Sequence, residues 1–414
     1  MVARALERAR IVPSNSCISH SMKRAPLVLL VAVVVAGCGA RSSTRPPRLG
    51  TSAPGFDLST KHGRAVVAGF DARYLVASAS PRGIPAITRP HFDSASIASR
   101  LLQPTDFVIG VDVDGDVRAY PVKLLALHEV VNDVVGGRPV VVTWCPLCSS
   151  ALVFDRRVGG KTLTFGVSGF LYQANQVLYD IQTRSLWSQL AAGAVTGRMR
   201  GHRLVLVPAA EQPWSVWRAE HPTTRVLSIH RDRFAARFLH RYTYLDTRGE
   251  ESSDDPYAGY VEKVPLYYGR IIDGISGAAR VVAVQRHGRS KTYPDLLLSS
   301  RKVVDDTFAG LPLTVFWDDA DYSASVFSRR LDGRVLRFRR EGGTIRDTAT
   351  GSWWSASTGK AIAGKLAGKS LRPLPFTYPY WFAWHSFHPR TEVARPPSRS
   401  FGRISPAARA SHGR

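Results

Sequence analysis

Leu124, Leu127, Val131 and Val135 recur at three- and four-residue intervals, and this spacing predicts an amphipathic helix over 122–135, closed by Gly136-Gly137. His128 lies on the same stripe, facing the body of the domain, with Asn132 one turn further on. After Arg138-Pro139 the pattern changes to a β-branched run, Val140-Val141-Val142-Thr143, which predicts a strand delivering Trp144 and Cys145. Short apolar runs predict further strands at 151–154 and 162–165, around a turn at Gly159-Gly160, and at 175–179 and 203–207. A short helix is expected over 214–220, before His221-Pro222. Eight helical residues from Gly136 back to His128 span about 12 Å. Five strand residues from Val140 to Cys145 span about 17 Å. A strand folding back along that helix therefore sets His128 and Cys145 at similar height.

The chain also aligns with itself. With Tyr120-Pro121 set on Tyr293-Pro294, residues 107–165 match 280–338 without a gap, with 23 identities in 59 positions, where ordinary residue frequencies give about 4. A shorter shift extends the match through Trp187/Trp354 and Trp217/Trp384 to His221-Pro222/His388-Pro389. The expectation is a strand-rich α+β fold of two tandem copies of one domain, the second degenerate. The first copy, 59–227 with its N-terminal extension, carries the candidate site; 228–272 links it to the second copy, 273–393. Residues shared by both stretches are most simply scaffold, and those present in one only are candidates for chemistry. His128-Glu129 stand where the other stretch has Arg301-Lys302, and Asn132 where it has Asp305. Cys145-Pro146-Leu147-Cys148 faces Asp318-Asp319-Ala320-Asp321, Gln189 faces Ala356, and the loop containing Asn175 falls largely in a deletion. Independent drift of surface residues is the alternative.

Composition narrows the field. At 414 residues and 44% hydrophobic the chain can bury a core of two or three domains. The formal charge of +24 is concentrated near both ends, with an acid-free basic tail over 394–414. No zinc-finger spacing or aromatic–basic signature accompanies it, so a nucleic-acid partner is set aside for attraction to a membrane or an anionic cell-envelope polymer. Met22-Lys23-Arg24 opens a charged segment, 27–35 is apolar, and Val35-Ala36-Gly37-Cys38 follows. This pattern resembles the bacterial lipoprotein signal. It implies a leader over 1–38 with Met22 as its true start, a lipid on Cys38, and a flexible tether over 39–58. The expected location is the extracytoplasmic face of the cell membrane, held by that lipid anchor.

With Cys17 ahead of that start and Cys38 lipidated, Cys145 and Cys148 remain. Such a pair supports three chemistries. Two thiolates on one turn bind a soft or borderline metal such as copper or zinc, with His128 as a further ligand and Glu129 or Asn132 behind it. The pair can instead cycle between dithiol and disulfide, making Cys145 and Cys148 the redox candidates. The run after Cys148 looks like a strand, unlike the helix N-terminus of a thioredoxin-type site. Third, a static disulfide braces the turn, in a non-enzymatic module that binds an envelope or small-molecule ligand between the copies. Asn175 and Gln189 are the remaining supporting polar groups. No complete catalytic constellation is legible.

The segments Gly83-Ile84-Pro85-Ala86-Ile87, His128-Glu129-Val130-Val131-Asn132-Asp133, Thr143-Trp144-Cys145-Pro146-Leu147-Cys148 and Ser185-Leu186-Trp187-Ser188-Gln189 together carry a resemblance. So do Leu163 to Gly169, Asn175 and Tyr179-Asp180. The chain resembles an uncharacterised bacterial and archaeal family, the domain of unknown function 3179, over most of 80–393. It departs from that family's pattern at Arg82, where an acid is frequent, and at Ser149, where glycine is common. The resemblance implies no activity.

Overall fold

A computed structural model describes residues 55–80, 83–235, 270–320 and 322–395. The expected leader with Cys38, most of the tether and the basic tail lie outside the described residues. Strand pairing is organised by tight turns. Asp114 and Gly115 take positive φ, 51° and 83°, as a two-residue hairpin turn requires if its twist is to match the strands. They join Phe107–Val113 to Asp116–Pro121, the centre of a five-stranded sheet that adds Ala210–Pro213, Arg225–Leu227 and Phe92–Ser94. Gly110 leaves room for Trp217 to lie on this hairpin, since a Cβ there would stand 2.2 Å from the indole. Trp217 belongs to the helix Trp214–Glu220, which forms where the sequence places it.

The helix beginning at Val122 ends at His128, well before the predicted end. Glu129 turns into the left-handed region (φ 57°), and the chain continues as the strand Val130–Val135, paired with Arg138–Cys145. The helical stripe misleads because residues 130–133 are all buried. A short run buried on both faces fits either period, and its β-branched valines then favour the strand. Arg138–Cys145 pairs in turn with Ser150–Asp155, and Val205–Leu206 completes a four-stranded sheet. A second five-stranded sheet runs Val76–Ala77, Phe165–Tyr172, Asn175–Asp180, Leu186–Ser188, Gly193–Ala194.

The α+β expectation gives way to a strand-dominated architecture. No described helix exceeds seven residues, whereas the described strands form nine sheets of two to five strands. The expectation of two tandem copies, the second degenerate, is not supported either. The described residues fall in one compact unit, and the described sheets after residue 270 have only two, three or four strands. Most tellingly, one core serves both stretches: Val281, Ala283, Trp381 and Trp384 pack into the cluster that holds Val130, Cys145, Cys148, Phe154 and Trp187. Shared apolar spacing fixes a burial pattern, not a separable domain, and here each stretch supplies apolar surface that the other lacks.

Candidate functional site

The two cysteines occupy the corner between paired strands. Arg138–Cys145 delivers Cys145, and Pro146, with its pre-set φ, opens a single 3-10 turn over Pro146–Cys148. Ser149 reverses the chain in the left-handed region (φ 47°), and Ser150 returns opposite Cys145. No α-helix starts here, so no helix dipole acts on either sulfur, as the strand-like run after Cys148 foretold. Both residues are buried free thiols.

What surrounds the sulfurs is unequal. Asn175 Nδ2 donates to Cys148 Sγ at 3.2 Å and to Gln189 Oε1 at 2.7 Å. Ser150 Oγ lies 3.1 Å from the same sulfur and 2.8 Å from Gln189 Oε1. Gln189 Nε2 donates to Thr143 Oγ1 and to the Ser150 carbonyl, at 2.9 and 3.1 Å. Leu190 N–H donates to Asn175 Oδ1 at 3.1 Å, which fixes the orientation of the amide. Burial opposes ionisation of Cys148, but hydrogen bonds from the Cys145 thiol, Ser150 and Asn175 outweigh it and hold its thiol below the ordinary range. Burial, with the hydrogen bond to and negative charge of Cys148, pushes Cys145 up.

Glu129 is the third member. Its backbone carbonyl accepts from Trp144 N–H at 2.9 Å, because the strand it opens pairs with the one ending at Cys145. Its carboxyl takes no hydrogen bond from any described residue. Burial, and secondarily Cys145, raises it to about 8, so it is largely neutral near pH 7.

His128 and Asn132 sit elsewhere. Nδ1 of His128 lies 2.5 Å from the Pro85 carbonyl, and Nε2 lies 3.0 Å from Asp232 Oδ2. Asn132 pairs its amide with both backbone groups of Phe165, at 2.8 Å each, and so ties two sheets together. Among the described residues no group of three or more His, Cys, Asp and Glu side chains is arranged to hold a metal ion. Ser150, Thr143 and Gln176 were not anticipated. The Gln176 N–H is hydrogen-bonded to the Cys145 sulfur, while its side-chain oxygen and nitrogen are buried without partners. Ser150, two residues beyond Cys148, had a signal in its place in the turn, and Gln176 in the loop that the later stretch largely lacks. A distant segment covers the corner: Tyr380 N–H donates to the Cys148 carbonyl at 3.0 Å, and Thr377 Oγ1 to the Ala151 carbonyl at 2.9 Å.

Among the described residues no helix is long and apolar enough to cross a membrane. No curated protein and no solved structure matches the chain. Residues 81–391, which contain the whole cysteine corner, match the family described as protein of unknown function (DUF3179), and the chain belongs to that family.

Proposed function

We propose that Cys145 and Cys148 form a thiol redox centre that cycles between dithiol and disulfide, at the extracytoplasmic face of the membrane, where a lipid on Cys38 would hold the chain. The observation that carries this reading is the unequal treatment of the two sulfurs. Cys148 collects the donors that stabilise a thiolate, and Cys145 remains a thiol at its side. A dithiol of this kind offers one nucleophilic sulfur and one that closes the ring. Oxidation releases two electrons and two protons as the S–S bond forms, and a disulfide admitted by local opening of the corner would take both as it becomes two thiols. A copper or zinc site would use the same sulfurs, with His128 as the missing ligand. Its ring nitrogens face Pro85 and Asp232 instead, which favours redox.

The test is to equilibrate protein purified without chelator or reductant in thiol–disulfide buffers of stepped potential, then quench with acid, alkylate and weigh. The expected result is one two-electron transition, absent from Cys148→Ser. Stoichiometric copper or zinc with no transition would replace this reading with the metal one. A disulfide untouched by strong reductant would leave only a brace.

A further inference from the structure

The redox reading leaves open what oxidises the pair, and the packing of the corner limits the answer. Cys145 and Cys148 are 1% and 0% exposed, and the Tyr380 segment is hydrogen-bonded over the turn. A protein disulfide must reach an attacking sulfur in line, which this packing prevents without opening the fold. A molecule of two heavy atoms needs far less room. The corner also contains polar groups that nothing in the fold uses. The Glu129 carboxyl, 8% exposed, takes no hydrogen bond from a described residue, and the Gln176 carboxamide, 2% exposed, has neither its oxygen nor its nitrogen paired. Alternation along Asn175–Asp180 puts Gln176 on the face of Leu178, which packs in the same cluster as Cys145 and Cys148. Buried carboxamides are ordinarily paired, so a buried donor and acceptor left free, on the residue whose backbone N–H reaches the Cys145 sulfur, suit a small polar visitor.

Resting on that redox reading, we infer that the corner reduces a small hydroperoxide, with Cys148 as the attacking sulfur, Cys145 as the resolving one and Glu129 as the proton carrier. Cys148 enters as the thiolate and Glu129 as the protonated acid. The thiolate attacks one peroxide oxygen; the O–O bond breaks and Cys148 becomes a sulfenic acid. The departing oxygen collects the proton from Glu129 and leaves as water or, for an organic peroxide, as an alcohol. Cys145 sulfur then attacks Cys148 sulfur. The S–S bond forms, the S–O bond breaks, and the hydroxyl leaves as water with the proton Cys145 gives up. Two thiols and one hydrogen peroxide thus become one disulfide and two waters. The free Gln176 amide would hold the peroxide by one accepted and one donated hydrogen bond. The Asn175 amide steadies the thiolate from the other side.

The experiment mixes the reduced full chain with hydrogen peroxide, cumene hydroperoxide or glutathione disulfide and follows tryptophan fluorescence, with mass analysis after an acid quench. Hydrogen peroxide should oxidise the pair at least a hundredfold faster than it oxidises free cysteine, one disulfide per peroxide, and faster than the bulky cumene hydroperoxide does. Cys145→Ser should stop at a sulfenic acid on Cys148. Glu129→Gln should slow the peroxide step tenfold or more and flatten its pH profile, whereas oxidation by glutathione disulfide should change little. If glutathione disulfide oxidises the pair but peroxide acts no faster than on free cysteine, the inference falls and the redox reading stands. If no oxidant yields the disulfide, both fall. The wild-type rate and stoichiometry decide this even if a variant fails to fold.

Discussion

Arg280 reaches Glu211 at 2.8 Å in a fully buried ion pair, and the same guanidinium lies 3.7 Å above the ring of Tyr378 and donates to its carbonyl. Glu211 sits on the outer strand of the first sheet, and Arg280 immediately precedes Val281–Arg286, so the pair fastens the later stretch to the earlier one. Burial pushes the Glu211 carboxyl up, against the pull of Arg280. The consequences of breaking the pair are therefore unequal. Glu211→Leu should cost about 3–5 kcal/mol, because Arg280 cannot shed its charge. Arg280→Met should cost less, because Glu211 can take up a proton. Urea unfolding of both variants decides it, and equal losses would refute the account.

Glu129 should make stability depend on pH. Its carboxyl titrates at about 8 in the folded chain against an ordinary 4.5. Between those values the folded state keeps a proton that the unfolded state has released. Its contribution is complete below about pH 4.5 and is lost as pH rises through 8. Glu129→Gln should match the wild type near pH 4.5 and exceed it by several kcal/mol at pH 8 and above. Parallel stability curves for the two proteins would show that the carboxyl is not buried as described.

The thiolate character of Cys148 depends on a donor that can be removed. Asn175→Ala deletes the amide that bonds to the sulfur, so the Cys148 thiol should titrate higher. Thiolate ultraviolet absorbance against pH should shift upward by a unit or more. Gln189→Ala leaves the Ser150 and Asn175 donors without their shared acceptor and should cost about 1–3 kcal/mol, with a smaller effect on the thiol.

His128 is expected to act as a latch. Nδ1 lies against the Pro85 carbonyl and Nε2 faces the Asp232 carboxylate, so the ring joins two distant parts of the chain. His128→Phe should destabilise the fold by about 1–3 kcal/mol. It should leave the Cys145–Cys148 transition within a few tens of millivolts of wild type, since 30 mV corresponds to about 1.4 kcal/mol. A variant that keeps its stability but loses metal or redox behaviour would move His128 back to the sulfurs.

Much of the site was legible without the fold. Cys145, Cys148, Asn175 and Gln189 stood out because residues 280–338 and their continuation lack them, and these four do share one hydrogen-bonded cluster. A helix folding back on a strand was expected to bring His128 level with Cys145. Glu129 comes near Cys145 through strand pairing, Val130 opposite Thr143. For His128 and Asn132, spacing reports which face a residue occupies, not where its polar atoms find partners. Pro85, Phe165 and Asp232 supply those partners from distant parts of the chain. The fold class failed for a related reason: helical and strand periods coincide over 130–135, and only long-range pairing separates them. Gln176 closes the loop that the later stretch largely lacks, but nothing in the sequence shows that its amide goes unpaired.

The Tyr380 segment over the cysteine turn also orders the events of folding. Thr377 and Ala151 meet across 226 residues of chain, and contacts of such span form late, because a long loop must close first. The cysteines are therefore bare while the chain is being made, and they are sealed only when the segment around Thr377 and Tyr380 docks. A nascent or truncated chain ending before Pro373 would present both sulfurs to any bulky oxidant or alkylating reagent. The finished protein would turn such reagents away. Sulfur accessibility thus serves as a clock for the docking of that distant segment.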